Sequence, residues 1–106
     1  MSRIRYMPAA LRALDDIFEY TQDTWGDQQA DDYVSSLFSA CESLPPLVPR
    51  AIPFELGVEG FVTHCQHHRI YWRQPTEDEI IVVCILHERM HQAARLVELT
   101  EEEGAE

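Results

Sequence analysis

The sequence predicts a small α+β domain in which an α-helical hairpin packs on a small antiparallel sheet, in the element order βααβββ. Two periodicities carry this prediction. From residue 9 to residue 44 the apolar residues recur every three or four positions, which is the period of amphipathic helices. From residue 61 the period is two, which is typical of strands. The chain has 106 residues, which is enough for one domain with one thin core.

A short strand and two helices are predicted in the first half of the chain. The segment Arg3 to Tyr6 alternates polar and apolar residues, and Pro8 occupies a position that the first turn of a helix tolerates. Gly26 is predicted to end the first helix and Asp27 to cap the second. Two long helices joined by so tight a turn must pack antiparallel.

An irregular crossing and three strands are predicted in the second half. Residues 45–60 contain four prolines and two glycines, which is typical of an ordered but irregular connection. The alternating segments Phe61 to Gln66, His68 to Gln74 and Glu79 to Leu86 are the predicted strands. The segment from Ile80 to Leu86 is apolar on both faces, so its strand should be central and covered on both sides. The helical hairpin can cover one side, and the other side needs either the C-terminal segment or a partner protein.

The end of the chain is predicted to form a short helix followed by an acidic tail. Met90, Ala93, Ala94 and Val97 have helical spacing, whereas the last residues are mostly glutamate. We therefore assign residues 1–95 to one globular domain and residues 96–106 to a frayed acidic tail.

The charge of the chain limits its partners. The formal net charge is −11, from nineteen acidic residues, eight arginines and no lysine. Nucleic-acid binding requires neutralisation of phosphates, so this composition argues against a nuclease and favours a protein partner. There is no apolar run of about 18 residues and no signal-peptide pattern. The odd number of cysteines, each in an apolar pattern, fits a reducing compartment, so we expect a cytoplasmic protein that does not contact a membrane.

The segment His87 to His91 reads His-Glu-x-x-His, the pattern with which zinc peptidases place two imidazole ligands on one helical face. The motif begins where the apolar strand stops, and few residues follow it to supply a third ligand. We interpret it as a turn that leaves the sheet, with His87 capping and Arg89 exposed, and we expect no metal and no cofactor. A zinc peptidase that uses His87, Glu88 and His91 is the less favoured alternative.

His64, Cys65, His67 and His68 form a second group of possible metal ligands. On one continuous strand, Cys65 and His67 would share one face while His64 and His68 would share the other, so a single ion could not reach all four. We interpret them as polar residues of an edge strand.

Arg69, Tyr71 and Arg73 alternate along one predicted strand and so share a face of the sheet. Two guanidinium groups beside a phenol could hold a phosphodiester, with His87 as the acid or base near neutral pH. A sheet face that pairs its arginines with nearby carboxylates explains the same pattern, and the acidic composition favours that interpretation.

Several strings, taken in order, resemble one known group of proteins. They are Pro8 to Leu11, Leu14 to Ile17, Trp25 to Ala30, Leu44-Pro45, Glu55 to Gly57, His68 to Arg73 and Val83 to Arg89. In this order and spacing they resemble the plasmid-stabilisation toxins of the RelE/ParE superfamily, and the ParE branch in particular. The resemblance covers about residues 3 to 90, which is nearly the whole predicted domain.

The resemblance implies a type II toxin that is inactive in complex with its antitoxin. ParE-like toxins poison DNA gyrase and arrest growth by blocking replication, without an enzymatic activity of their own. The partner is usually a ParD-like ribbon-helix-helix protein that binds operator DNA and wraps the toxin with its tail. A similar chain would meet operator DNA only through the antitoxin. Its candidate partner-binding residues are Arg69, Tyr71, Arg73, His87, Arg89 and Met90.

The RelE branch of the superfamily implies a different activity. Its members cleave ribosome-bound mRNA with basic residues and often a Tyr or His near the end of the chain. The lack of lysine, the net charge and the length of the helical hairpin favour the ParE branch. We therefore expect a gyrase-binding toxin, with an mRNA interferase as the alternative. The catalytic candidates of such an mRNA interferase would be Arg69, Tyr71, Arg73, His87 and Arg89.

Overall fold

The computed structural model describes residues 3–104, and its elements follow the predicted order. The first half consists of β1 (Arg3–Tyr6), α1 (Pro8–Trp25) and α2 (Asp27–Glu42). After the crossing, which contains a 3₁₀ turn at Phe54–Leu56, the elements are β2 (Phe61–Cys65), β3 (His68–Thr76), β4 (Glu79–His87) and α3 (Gln92–Gly104). The strands form one sheet in the order β1-β4-β3-β2, antiparallel except for β1, which runs parallel to β4. The predicted α+β fold is confirmed.

The turn between α1 and α2 depends on a glycine. Gly26 has a φ of 96°, which residues with a Cβ rarely adopt, and its N–H donates to the carbonyl of Gln22 at 2.9 Å. The prediction that Asp27 caps α2 is wrong, because Asp27 is the first helical residue and Gly26 stands at the cap. Asp27 instead accepts a hydrogen bond from Gln22 Nε2 at 2.7 Å, which joins the two helices across the turn.

The sheet carries an apolar layer on each face. On one face the helical hairpin covers Ile70, Trp72 and Ile80, and Leu14 and Leu37 of the helices fill this layer. On the other face lies a second layer that includes Tyr71, Val83 and Leu86 together with Leu96 and Leu99 of α3. A register shift opposite Tyr71 and Trp72 leaves Val83 unpaired in the β3–β4 ladder, as a β-bulge does. The central position of β4, covered on both sides, is therefore as predicted.

The helix α3 supplies the second cover that the sequence pattern required. Leu96 and Leu99 are buried against the sheet, so the C-terminal segment is the one of the two predicted covers that the structure shows. The helix is longer than the short one predicted around Met90 to Val97, and the domain division predicted after residue 95 falls inside it. That division stays a prediction, and residues 105 and 106 of the proposed tail lie outside the described residues.

Membrane insertion through a helix is not indicated. In the described range, 3–104, none of the helices combines the length and the apolar character that a membrane-spanning segment needs.

Candidate functional site

Arg69, Tyr71 and Arg73 share one face of β3, as predicted, but they do not form an open surface. The face they share is the one that α3 covers, and the Tyr71 side chain is buried beneath the helix. Arg69 is half-buried and Arg73 is exposed. Tyr71 is therefore part of the protein core, and only Arg73 is freely accessible to a partner.

Gln92 connects Tyr71 to the start of α3. The hydroxyl of Tyr71 donates to Gln92 Oε1 at 2.7 Å, and Gln92 Nε2 donates to the carbonyls of His87 and Met90 at 2.7 Å and 2.9 Å. Burial raises the pKa of Tyr71, an effect that the nearby Arg69 opposes. Gln92 is itself buried, so it holds the turn between β4 and α3 against the sheet.

Arg69 has an incomplete set of partners. Its Nε atom is buried and has no hydrogen-bond acceptor among the residues that the structure describes. Burial of an unpaired donor is unfavourable, so an acceptor that reached Arg69 Nε would be stabilised there.

His87 lies on the opposite face of the sheet from Tyr71. It pairs in register with His68, and the two imidazole rings meet edge to face with centroids 5.1 Å apart on the side of the helical hairpin. Arg89 and Met90 follow on the exposed turn after β4. The five residues predicted for an mRNA-cleaving site are therefore divided between two faces and a turn.

His68 has the most strongly altered environment of the histidines. The hydroxyl of Tyr33 lies 2.6 Å from His68 Nδ1 and also accepts a hydrogen bond from the backbone N–H of His67 at 3.4 Å. Tyr33 therefore links the His68 ring to the turn that precedes β3. Burial first, and then the neighbouring His87 and His67, lower the pKa of His68 to about 4. The side chain is neutral at pH 7.

The interpretation as polar residues of an edge strand is confirmed for His64 and Cys65 on β2, and is wrong for His67 and His68. β2 ends at Cys65, and Gln66, with a φ of 55°, and His67 form a two-residue turn to β3. His68 therefore turns inward onto the hairpin face, while His67 stays exposed and contacts Glu88 Oε2 through Nδ1 at 2.9 Å. The hydrogen bond from His67 lowers the pKa of Glu88.

The His-Glu-x-x-His segment does not lie on a helix. His87 is the last residue of β4, and its Nδ1 accepts a hydrogen bond from the backbone N–H of Arg89 at 3.1 Å, so the predicted capping role of His87 is confirmed. His91 precedes α3, and the two imidazoles therefore do not share a helical face. Over residues 3–104, no three or more His, Cys, Asp or Glu side chains are grouped so that they could hold a metal ion.

A groove lies between the α1–α2 turn and the turns that precede β3 and α3. Its volume is about 650 Å³, within the range of ligand sites. Its walls include Asp16, Tyr20 and Trp25 of α1, Tyr33 of α2, the three histidines 67, 68 and 87, and Met90. We call this space the hairpin-end groove.

Sequence patterns did not identify this groove. Trp25 has the spacing of the apolar stripe of α1, yet it is 71% exposed. Tyr20 is 69% exposed on the polar side of α1.

Comparison with known proteins gives consistent matches along the chain. A family model described as the ParE toxin of the type II toxin–antitoxin system parDE matches residues 4–92. The curated toxin ParE1 of Mycobacterium tuberculosis H37Rv is 33% identical over 91 residues, which is 84% of this chain and 92% of that protein. The toxin ParE of Escherichia coli is 30% identical over 86 residues, which is 77% of this chain and 81% of that protein.

A solved structure matches the fold. A chain described as the chromosomal ParDE TA system from P. aeruginosa superposes with a TM-score of 0.60 at 16% sequence identity, covering 82% of this chain and 96% of that chain. The family match ends at residue 92, which is the first residue of α3, so nearly all of this helix lies beyond the matched region.

Proposed function

The chain belongs to the ParE toxin family of type II toxin–antitoxin systems, and from this we propose that it arrests growth by binding DNA gyrase and that a ParD-like antitoxin neutralises it. The observation that carries the proposal is the family match over residues 4–92 together with two curated toxins at 30% identity or more. Membership of a toxin–antitoxin family implies an antitoxin as partner.

The placement of the candidate residues supports a binding protein over an RNA-cleaving enzyme. An acid–base reaction needs its groups within hydrogen-bond reach of one substrate position. Tyr71 is buried on one face of the sheet and His87 faces the other, so they do not converge on one position. The formal charge of −11 also disfavours binding to an mRNA backbone.

We assign the exposed Arg73, Arg89 and Met90 to direct contact with partners. The remaining candidates, Arg69, Tyr71 and His87, would act by holding the turn after β4 and the start of α3 in place. Arginine and methionine suit this role because arginine binds carboxylates with a rigid fork and methionine adapts its shape to an apolar partner surface.

The proposal is tested with the purified full chain in a DNA gyrase supercoiling assay. We expect inhibition at stoichiometric amounts, reversed by the protein encoded next to the toxin gene. Expression without that protein should stop growth and induce the SOS response. An Arg89→Glu, Met90→Ala variant should lose inhibition, whereas the matched change Arg50→Glu in the crossing should not. Unimpaired gyrase at excess toxin, with loss of translated mRNA in arrested cells, would refute the proposal in favour of the RelE-type activity.

A further inference from the structure

Two large aromatic side chains are exposed at the hairpin-end groove, and packing within the protein does not explain their exposure. The rings of Tyr20 and Trp25 are about two-thirds open to solvent, at 69% and 71%, although the same helix buries smaller apolar residues. Exposed aromatic residues beside a concave surface are typical of binding sites, where Trp and Tyr contribute most of the binding energy.

The electrostatic field around the groove is negative. The two helices of the hairpin, residues 8–42, carry eight acidic residues and a single arginine, Arg12. Asp16 lies in the groove wall, and none of the described residues that line the groove is Arg or Lys. A positively charged ligand is therefore attracted to this end of the molecule.

His68, the buried histidine of the groove, does not oppose a cation at neutral pH. His68 is neutral, since burial lowers its pKa to about 4. His67 contacts the carboxylate of Glu88, and on the adjoining turn the charges of Glu88 and Arg89 offset each other. The aromatic faces and the Asp16 carboxylate thus determine the preference of the groove.

We propose that the hairpin-end groove binds a basic segment of the partner antitoxin, with an arginine side chain held against Trp25 and Tyr20 and facing Asp16. Guanidinium groups stack on indole and phenol rings by cation–π attraction, and a nearby carboxylate adds a charge-assisted hydrogen bond. The acidic residues around the groove and the lack of Arg or Lys among its described lining residues favour a basic segment as the occupant. The identification of the partner as an antitoxin rests on the function proposed above.

The first test needs no knowledge of the antitoxin. A fluorescein-labelled helical peptide of leucine and arginine, and its counterpart with glutamate at each arginine, are titrated onto the full chain and followed by anisotropy. We expect the arginine peptide to bind and to weaken with added salt, and the glutamate peptide not to bind. Equal binding of the two peptides would overturn the inference.

Matched variants locate the binding. Trp25→Leu keeps an apolar side chain without the indole ring, and Asp16→Asn removes one charge; each should weaken the arginine peptide by about three- to fivefold. The controls are Phe54→Leu, an exposed aromatic in the crossing, and Asp31→Asn, an exposed acid of α2 that does not line the groove. Unchanged affinity in both groove variants, or equal losses in the controls, would refute the site.

The second test separates this inference from the proposed function. The same four variants are titrated with the protein encoded beside the toxin gene, and the groove variants should again be the weaker pair. Tight binding of that protein to all four variants would refute the groove and leave the antitoxin proposal intact. If the protein encoded beside the toxin gene does not bind the unmodified chain, the antitoxin proposal is refuted. The peptide titration then decides by itself whether the groove binds a basic segment.

Discussion

Lowering the pH should destabilise this protein through the buried His68. Its ring is buried between the hairpin and the sheet, hydrogen-bonded to Tyr33 and in contact with the ring of His87. Burial, reinforced by His87 and His67 and partly opposed by Glu88, lowers the pKa of His68 to about 4. In the unfolded chain the pKa of a histidine is about 6.5.

These two pKa values determine the sign and the size of the effect. Below about pH 6.5 His68 binds a proton in the unfolded chain but stays neutral in the folded protein until the pH approaches its lower folded pKa. Acid therefore favours unfolding. The contribution of His68 is fully present above its unfolded pKa and is lost as the pH falls through that value. The loss amounts to about 2 kcal/mol at pH 5 and about 3 kcal/mol at pH 4, and it levels off below the folded pKa.

Urea unfolding at about pH 7.5 and about pH 5 measures this contribution when the His68→Gln variant is compared with the unmodified chain. Glutamine cannot be protonated in this range but can accept the hydrogen bond of Tyr33. The carboxylates titrate in both proteins, so the difference between the two curves isolates His68. We expect the unmodified chain to lose about 2 kcal/mol more than the variant. Parallel pH curves for the two proteins would refute the reasoning.

Three further changes test the packing around the sheet. Gly60→Ala should lower the free energy of unfolding in urea by about 2 kcal/mol or more, because a Cβ there would lie 2.9 Å from the Trp72 carbonyl at a φ of 137°. The control Gly57→Ala, with open space around its Cβ, should cost about 1 kcal/mol, and equal losses would contradict this account. Gln92→Ala leaves the buried Tyr71 hydroxyl unpaired, so we expect a loss of about 1–3 kcal/mol with faster amide exchange in α3; unchanged exchange would show that Gln92 does not hold the helix. Towards Ellman's reagent the half-buried Cys65 should react first, since burial raises the pKa of the other two thiols to about 12, and a Cys65→Ser variant that keeps the fast phase would contradict this order.

The helices and strands could be predicted from the local periodicity of apolar residues wherever one face of an element packs against the core. α1, α2 and the three later strands were recognised because their apolar residues repeat at 3.6 or 2 residues, and these periods result from backbone geometry alone. The tight turn at Gly26 was recognisable for the same local reason. The break between β2 and β3 was predicted at residue 67, but the turn also includes Gln66, because Gln is an uncommon residue at positive φ and its place in the alternation does not mark it.

The candidate site was harder to predict, because its residues come from β3, β4 and the turn after β4. Arg69, Tyr71 and Arg73 share a face as expected, yet the sequence cannot show that α3 returns to cover Tyr71. His87 was grouped with them as a possible acid or base, whereas strand pairing places it beside His68 on the other face. The register shift at Val83 also changes which residues of β4 share a face, and no local signal announces it.

By itself, the sequence determined the α+β class, the order of the elements, the acidic charge and the likeness to ParE toxins, since each depends on residue order and composition alone. Only the tertiary structure decided which face of the sheet is covered by the chain itself, which histidine is buried and neutral, and where aromatic rings stay exposed. The physical reason is that burial, pKa and exposure depend on residues far apart in the chain. Leu96 meets Tyr71 and Tyr33 meets His68 only after the helices have packed on the sheet.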